Sequence, residues 1–480
     1  MSGTTMAVGA ERRAGEAVPT RWAALGFIGL AQLMVALDAT VVNVALPSAQ
    51  HALRFTDADR QWVTTAYTLV FAGLVLLGGK IADLVGRRRT FLLGLIGFAG
   101  ASALAGAANG IGMLAGARAL QGVFAALLAP TTLSLLAVMF TDARERAKAF
   151  AVFGAIAGSG GAVGLVLGGT LAEYLDWRWC LYVNVPVAVI AAAGGYAFLP
   201  DLPGRGRQRL DILGALLASG GLVALVYGCT EAVGRGWGSP VVLGLLGGAV
   251  VLIGAFVWRQ ARVSAPLLPL RILRDRDRAG SYLAMGLGLA GLLGLLLFLT
   301  YYLQVVLGYS PIRAGLAFLP LSAAVQLGAI GIGSRLAPRV RPRTLMVPGL
   351  LAAAAGMLLL TQLNPESGYA AIVLPAEIVL GIGLGCVFVP AIGTATSGVE
   401  PRDAGIASAV VNTAQQAGGS IGTALLNTIA ISATAGYLAS HRVDRAEALV
   451  HGYSVAAGWA AVILTVAAVL AAVLVTRGNS

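Results

Sequence analysis

Gly79-Lys80-Ile81-Ala82-Asp83-Leu84-Val85-Gly86-Arg87-Arg88-Arg89-Thr90 is a polar break between two apolar runs, 61–80 and 90–109. Each run has the length, about 20 residues, that a helix needs to cross the hydrocarbon of a bilayer. Reading outward on that rule predicts fourteen spans: 22–46, 61–80, 90–109, 112–139, 148–174, 180–199, 210–230, 240–258, 280–306, 313–335, 344–363, 370–396, 405–435 and 453–476. The expected fold class is therefore an all-α integral membrane protein, since lipid leaves no backbone partner outside a helix or a closed barrel. Composition agrees: of 480 residues 58% are hydrophobic, 11% are charged and 65 are glycine, with a mean hydropathy of +0.84. A soluble globular chain carries about 25% charge. A water-soluble enzyme, a disordered chain and a disulfide scaffold all fit poorly. Cys180, Cys229 and Cys386 have no CxxC spacing, so neither a metal site nor a disulfide framework is expected.

The net charge of +12 would suggest nucleic acid in a soluble chain. Here it orders the loops instead. On one side, 24 of the 33 Lys and Arg collect: Arg12, Arg13 and Arg21 of the N-terminal tail, Arg87–Arg89, and further clusters around 144–148, 205–209, 259–278 and 335–343. The opposite loops hold seven. Basic loops stay cytoplasmic, which places both termini in the cytoplasm of a multi-pass cytoplasmic-membrane protein and removes nucleic acid as a partner. The first span starts at Trp22 without a convincing cleavage site and reads as an anchor rather than a removed signal.

The opening stretch returns later. Gly333-Ser334-Arg335-Leu336-Ala337-Pro338-Arg339-Val340-Arg341-Pro342-Arg343-Thr344 repeats its Gly, Arg, Arg and Thr at an offset of 254 residues. Both stretches join the second and third spans of a six-span unit. The expected organisation is a cytoplasmic tail (1–21), a six-helix bundle (22–199), two inserted helices with basic flanks (200–279), a second six-helix bundle (280–476) and a short tail (477–480). Repeated halves with a binding site between them are the architecture of secondary transporters.

Several motifs resemble one family. Gly79 to Arg88 resembles the loop signature of the major facilitator superfamily. Leu37-Asp38-Ala39-Thr40-Val41-Val42-Asn43-Val44-Ala45-Leu46-Pro47 resembles the first-span motif of its fourteen-span drug:proton antiporters, the quaternary-ammonium and multidrug efflux type. Arg118-Ala119-Leu120-Gln121-Gly122 is similar to their fourth-span motif, and Trp177-Arg178-Trp179 with Asn184 and Pro186 to the start of span 6. Gly308-Tyr309-Ser310-Pro311 and the stretch from Gly405 to Gly422 match further on. The resemblance implies the major facilitator fold, two six-helix bundles plus two inserted helices. It also implies a charge latch of Gly79, Asp83, Gly86, Arg87 and Arg88, with Asp83 facing the start of span 13 near 403–405. Read without the resemblance, the same arginines are an orientation anchor. Span 5 departs from the antiporter pattern, with Leu165 where that pattern has proline. Gly160, Gly164, Gly168 and Gly169 remain to allow close helix approach.

Of 54 charged residues, three lie clearly inside spans, away from their ends: Asp38, Arg118 and Glu377. Each is a functional candidate, because burying a charge in the bilayer costs about 2.5–3.5 kcal/mol. All three fall about 10–14 Å below the outer surface at about 1.5 Å per residue. Asp38 is expected to take and release a coupled proton while Arg118 tunes it; the alternative is a permanent structural salt bridge. Glu377 reads either as a second proton or substrate carboxylate or as a hydrogen-bonded packing residue. Gln32, Asn43, Tyr67, Gln304, Gln326 and Asn412 are polar residues within spans and candidates for a substrate cavity. The glycines of 381–385 follow no strand and precede no Walker lysine, so they pack helices rather than bind nucleotide.

No cofactor and no enzymatic activity are expected, and a proton gradient is the expected energy source. The chain reads as a monomeric, proton-coupled exporter of small amphipathic or cationic organic molecules, with two acids in a mostly apolar cavity favouring cations. An uptake symporter for a polar nutrient stays open through Leu165. A non-transporting membrane sensor or scaffold would need a loop domain that the sequence does not contain.

Overall fold

The computed structural model describes residues 18–55, 57–201, 211–263, 266–309, 311–400, 403–441 and 444–476. Among the described residues fourteen helices are long and apolar enough to cross a membrane, and there is no strand. They are α1 (Val18–Leu53), α2 (Asp57–Val85), α3 (Arg87–Gly106), α4 (Ile111–Met139) and α5 (Ala143–Tyr174). Next come α6 (Trp179–Phe198), α7 (Ile212–Arg235), α8 (Pro240–Gln260), α9 (Arg276–Val306) and α10 (Arg313–Leu336). The last four are α11 (Pro342–Leu360), α12 (Tyr369–Thr396), α13 (Ala404–Ser440) and α14 (Arg445–Leu474). The fourteen predicted spans each find one helix. Several helices outrun them: α13 has 37 residues, about 55 Å at 1.5 Å per residue, against about 30 Å of hydrocarbon.

Helix pairing is a repeat. In the first half α1 packs on α4, α5 and α6, α4 on α2 and α3, and α3 on α6. Adding eight to each label gives contacts equally present in the second half: α9 on α12, α13 and α14, α12 on α10 and α11, and α11 on α14. The halves meet along α2–α13 and α5–α10, with α4 on α13 and α5 on α12 beside them. These contacts also exchange under the same mapping. Helix α7 leans on the α2–α13 seam, and α8 rests on α7 with only 17% of its apolar window buried. A helix that is apolar all round and this exposed is lipid-facing.

Residue-level matches sharpen the repeat. A Cβ on Gly122 of α4 would meet Tyr67 O, Phe71 N and Val70 Cβ of α2; one on Gly381 of α12 would meet Leu321 O, Val325 N and Ala324 Cβ of α10. The three α2 positions lie 254 residues before their α10 counterparts, the offset already visible in the polar loops. Gly122 and Gly381 differ by 259, so Arg118 and Glu377, four residues before each, occupy equivalent places.

The halves differ where the second is broken. Three π-helical turns interrupt it, at Tyr302–Val306, Leu327–Gly333 and Tyr369–Val373. Such turns insert a residue and shift the helical phase. Pro320, without an N–H, follows a further break in α10 at Phe318. Helix α5, with Leu165 instead of proline, runs uninterrupted.

Candidate functional site

Asp38 on α1 sits at the centre of a polar network within the first half. Its Oδ2 accepts from Arg118 Nη1 (2.5 Å), and its Oδ1 from Gln121 Nε2 (3.0 Å) and Asn184 Nδ2 (2.8 Å). Arg118 Nη1 also donates to Gln121 Oε1 (2.8 Å), and Arg118 Nε to the Val63 carbonyl (3.3 Å). Gln121 Nε2 gives its other hydrogen to Ser102 Oγ (2.7 Å). The Tyr67 ring lies under the guanidinium, 4.5 Å from centroid to carbon. Asp38, Arg118, Gln121, Ser102 and Asn184 are all at most 2% exposed. The network joins α1, α2, α3, α4 and α6. A buried ion pair of this kind survives only when its remaining hydrogen-bonding groups are satisfied, and Gln121 and Asn184 do that.

Between the halves lies a cavity of about 570 Å³, walled by α1, α4 and α5 on one side and α9, α10, α12 and α13 on the other. Leucines of α9 form much of the wall. Gln32, Thr40, Ser322, Asn412, Gln415 and Thr423 supply polar groups, and among the described residues no lining residue is charged. Gln32 and Asn412 thus lie where the sequence suggested. The expectation of two acids in the cavity does not hold. Asp38 is two residues from Thr40, about 200° around the helix, so Thr40 faces the cavity while Asp38 faces the bundle. Tyr67 is packed under Arg118, away from the cavity wall. Gln326 follows the lining residue Val325 and is rotated off it; Gln304 is exposed, within the π turn that shifts α9 after Thr300. The Asn43 side chain lies outside the described residues.

Glu377 is fully buried in α12. The Tyr369 hydroxyl donates to the Ala317 carbonyl (2.7 Å) and stands 3.1 Å from Glu377 Oε2. Glu377 Oε1 has no hydrogen-bond partner among the described residues.

The loop that opened the sequence reading forms a junction between halves. Asp83 Oδ1 accepts from Arg87 Nη2 (3.0 Å) and from the backbone N–H of Gly405 (3.2 Å) at the start of α13. Arg87 Nε donates to Ser134 Oγ (2.5 Å) of α4, and Arg88 Nη2 to the Tyr196 carbonyl (2.5 Å) of α6. A Cβ on Gly79 would come within 2.6 Å of the Gly405 carbonyl, so only glycine permits this crossing. Gly86 links α2 to α3 in a single residue at φ 107°, a conformation costly to any residue with a Cβ. In α5, a Cβ on Gly160 or Gly164 would strike Ala36 or Thr40 of α1, and one on Gly168 would come within 3.1 Å of Val41 Cα. Gly169 falls one position off that stripe.

With this geometry in view, residues 28–423 match the sequence profile of the Major Facilitator Superfamily. The chain belongs to that superfamily. It is 54% identical over 463 residues to puromycin resistance protein pur8 of Streptomyces alboniger, covering 95% of this chain and 92% of the relative. It is 40% identical over 420 residues to cephamycin export protein CmcT of Amycolatopsis lactamdurans, covering 86% of each. The fold is similar to that of the proton:xylose symporter XylE, with a TM-score of 0.66 at 14% identity, covering 96% of this chain and 97% of that one.

The major facilitator fold makes this a multi-pass membrane protein of the transporter class, with relatives of the drug-efflux type. Within it, Gln121 and Asn184 entered the sequence reading only as motif residues, and Ser102 not at all. Gln121 lies one helical turn from Arg118, an i, i+3 spacing that brings both side chains to one face. Asn184 and Ser102 come from α6 and α3, and no local spacing ties them to Asp38.

Proposed function

We propose that this chain is a proton-driven exporter of small amphipathic organic molecules, working in the cytoplasmic membrane with both termini in the cytoplasm. The carrying observation is the division of labour: an uncharged, leucine-lined cavity between the halves, and a buried carboxylate separated from it by the width of α1. Relatives named for puromycin resistance and cephamycin export support the outward direction and organic, partly polar cargo. The amides of Gln32, Asn412 and Gln415 offer both donors and acceptors, and the leucines take the apolar body. Because no charge lines the cavity, a cationic substrate gains nothing from an ion pair there, and amphipathic character is the selected property.

Asp38 takes the coupled proton. As a carboxylate it satisfies three donors, from α4 and α6. Protonated, it must donate one hydrogen itself, so one of those donors loses its acceptor and the network rearranges. Helix α1 carries the change to the cavity through Thr40, which also packs at Gly164 of α5. Two ligands are thereby made to prefer different arrangements of one helix, which is what coupling requires. The Asp83–Gly405 contact holds the cytoplasmic ends of α2 and α13 together and breaks when that side opens. Alanines 147, 151 and 329 with Val389 close the α5–α10–α12 side.

The test is ethidium or puromycin uptake into energised inverted membrane vesicles. Accumulation inside them is expected, with collapse on adding an uncoupler; uncoupler-insensitive movement would contradict proton coupling. Asp38→Asn should abolish accumulation yet retain ethidium exchange at zero proton gradient, which separates a coupling defect from misfolding. Wild-type accumulation by this variant would remove Asp38 from the mechanism.

A further inference from the structure

The second half contains a buried acid at the position where the first half has its buried cation. Glu377 and Arg118 stand four residues before Gly381 and Gly122, which make equivalent contacts with α10 and α2. Their surroundings are not equivalent. Arg118 has a counterion in Asp38. Glu377 forms no ion pair among the described residues, and the membrane portions of α5, α9, α10, α11 and α13, which pack against α12, carry no Asp, Glu, Lys, Arg or His. Toward the ends of α10 and α12, charged groups are Arg313, stacked on Tyr309 (3.9 Å), and the exposed Glu366. Tyr309 is within electrostatic reach of the Tyr369 phenol.

Counting hydrogens gives the state of this acid. A phenol has one. The Tyr369 hydroxyl has two acceptors in reach, the Ala317 carbonyl at 2.7 Å and Glu377 Oε2 at 3.1 Å, and its one hydrogen fully serves only one of them. With the phenol hydrogen on the shorter contact, a neutral Glu377 is the group that can supply a hydrogen to the longer one. Oε1, fully buried and without a partner, fits the carbonyl oxygen of a neutral acid better than half of a carboxylate, which leaves a charge unsatisfied. Ala317 precedes Phe318, a residue of the cavity wall, so this cluster adjoins the cavity.

We propose that Glu377 is a second proton-carrying group, in series with export, and that Tyr369 is its switch. In its protonated state the carboxylic acid donates to the phenol oxygen, whose own hydrogen goes to the Ala317 carbonyl. When the proton leaves Glu377 Oε2, the phenol hydroxyl rotates its own hydrogen from the Ala317 carbonyl to the carboxylate; no bond within the phenol breaks, and one proton is released per event. The free carbonyl is on the segment leading to Phe318, which links the proton to the outer wall of the cavity. The proposal rests on proton-driven export as the function, and adds a second proton to the cycle through the second half.

The decisive measurement reads the acid directly and needs no substrate. Infrared spectra of the purified full-length protein in lipid at neutral pH should contain a carboxylic-acid C=O band that Glu377→Gln removes. Tyr369→Phe should keep that band at a shifted frequency, because the acid loses the oxygen it donates to. Glu377→Gln removing only carboxylate bands would overturn the neutral acid, and an unshifted band in Tyr369→Phe would overturn the switch. In proteoliposomes, exchange of monovalent ethidium for two protons moves net charge and responds to an imposed membrane potential. Glu377→Gln should lose that response and keep the response to a pH gradient. Retention of the potential response would overturn the second proton, whereas wild-type ethidium movement blind to both gradients would overturn proton-driven export itself.

Discussion

Arg118 is the largest fully buried side chain in the molecule, and its cost is offset only while Asp38 and Gln121 hold it. Removing one partner of a buried pair is worse than removing both, because a stranded charge costs about 3–5 kcal/mol. Asp38→Leu is therefore expected to lower the melting temperature in detergent sharply, and adding Arg118→Leu to restore part of the loss. Equal, additive losses would show that the two residues do not interact energetically. The pair itself was readable from depth alone. Asn184 of α6 and Ser102 of α3 were not, since Asn184 reaches Asp38 and Ser102 reaches Gln121 only after the bundle closes.

Elements are set by small contacts at their ends and crossings. The α5 glycines 160, 164 and 168 recur every four residues and admit α1. Gly164→Leu should therefore abolish transport and reduce stability, with Gly169→Leu, off the stripe, much milder; comparison of transport rates and melting temperatures checks this. Helix α7 is capped by Asp211, which accepts from Gly214 N (2.9 Å), Arg259 Nε (2.8 Å) and Gln260 Nε2 (2.9 Å). Burial works against its ionised form, but those donors outweigh it and hold the carboxyl below the ordinary carboxylate range. A lowered folded value adds stability above the unfolded value, about 3.9, and that stability is lost as pH falls through the folded one. The melting temperature should be flat from neutral pH down to about 5 and fall below about 4. Asp211→Ala should remove about 1 kcal/mol at neutral pH and flatten the acid limb; an unchanged limb would assign the acid loss to other carboxylates.

For the whole molecule the question is which face is shut. Gly79, Asp83 and Gly405 bind α2 to α13, and Ala409, fully buried, packs beside Gly79. If this contact closes the cytoplasmic side, Asp83→Asn should shift the population toward the open form. The readout is Ala409→Cys labelling by a membrane-impermeant thiol reagent in inverted vesicles, expected several-fold faster with Asp83→Asn than without. The chain's own cysteines are buried and far apart in sequence, so background labelling is low. Equal rates would mean that Asp83 serves orientation alone.

Hydrophobic run length and the 254-residue offset determined by themselves the span count and the repeat, because bilayer thickness acts locally along the chain, and the motifs' resemblance pointed to the superfamily. They also marked Asp38, Arg118 and Glu377, since ionisable groups in an apolar run stand out without a structure. Only tertiary structure decided where those groups point. A residue or two of helix, or one π turn, rotates a side chain off the cavity wall, as at Asp38, Gln304 and Gln326, and Tyr67 packs under Arg118 instead. The low charge content became an uncharged cavity for the same reason: the helices turned every buried ionisable group toward a partner or a hydrogen bond, leaving leucines and amides to face the substrate.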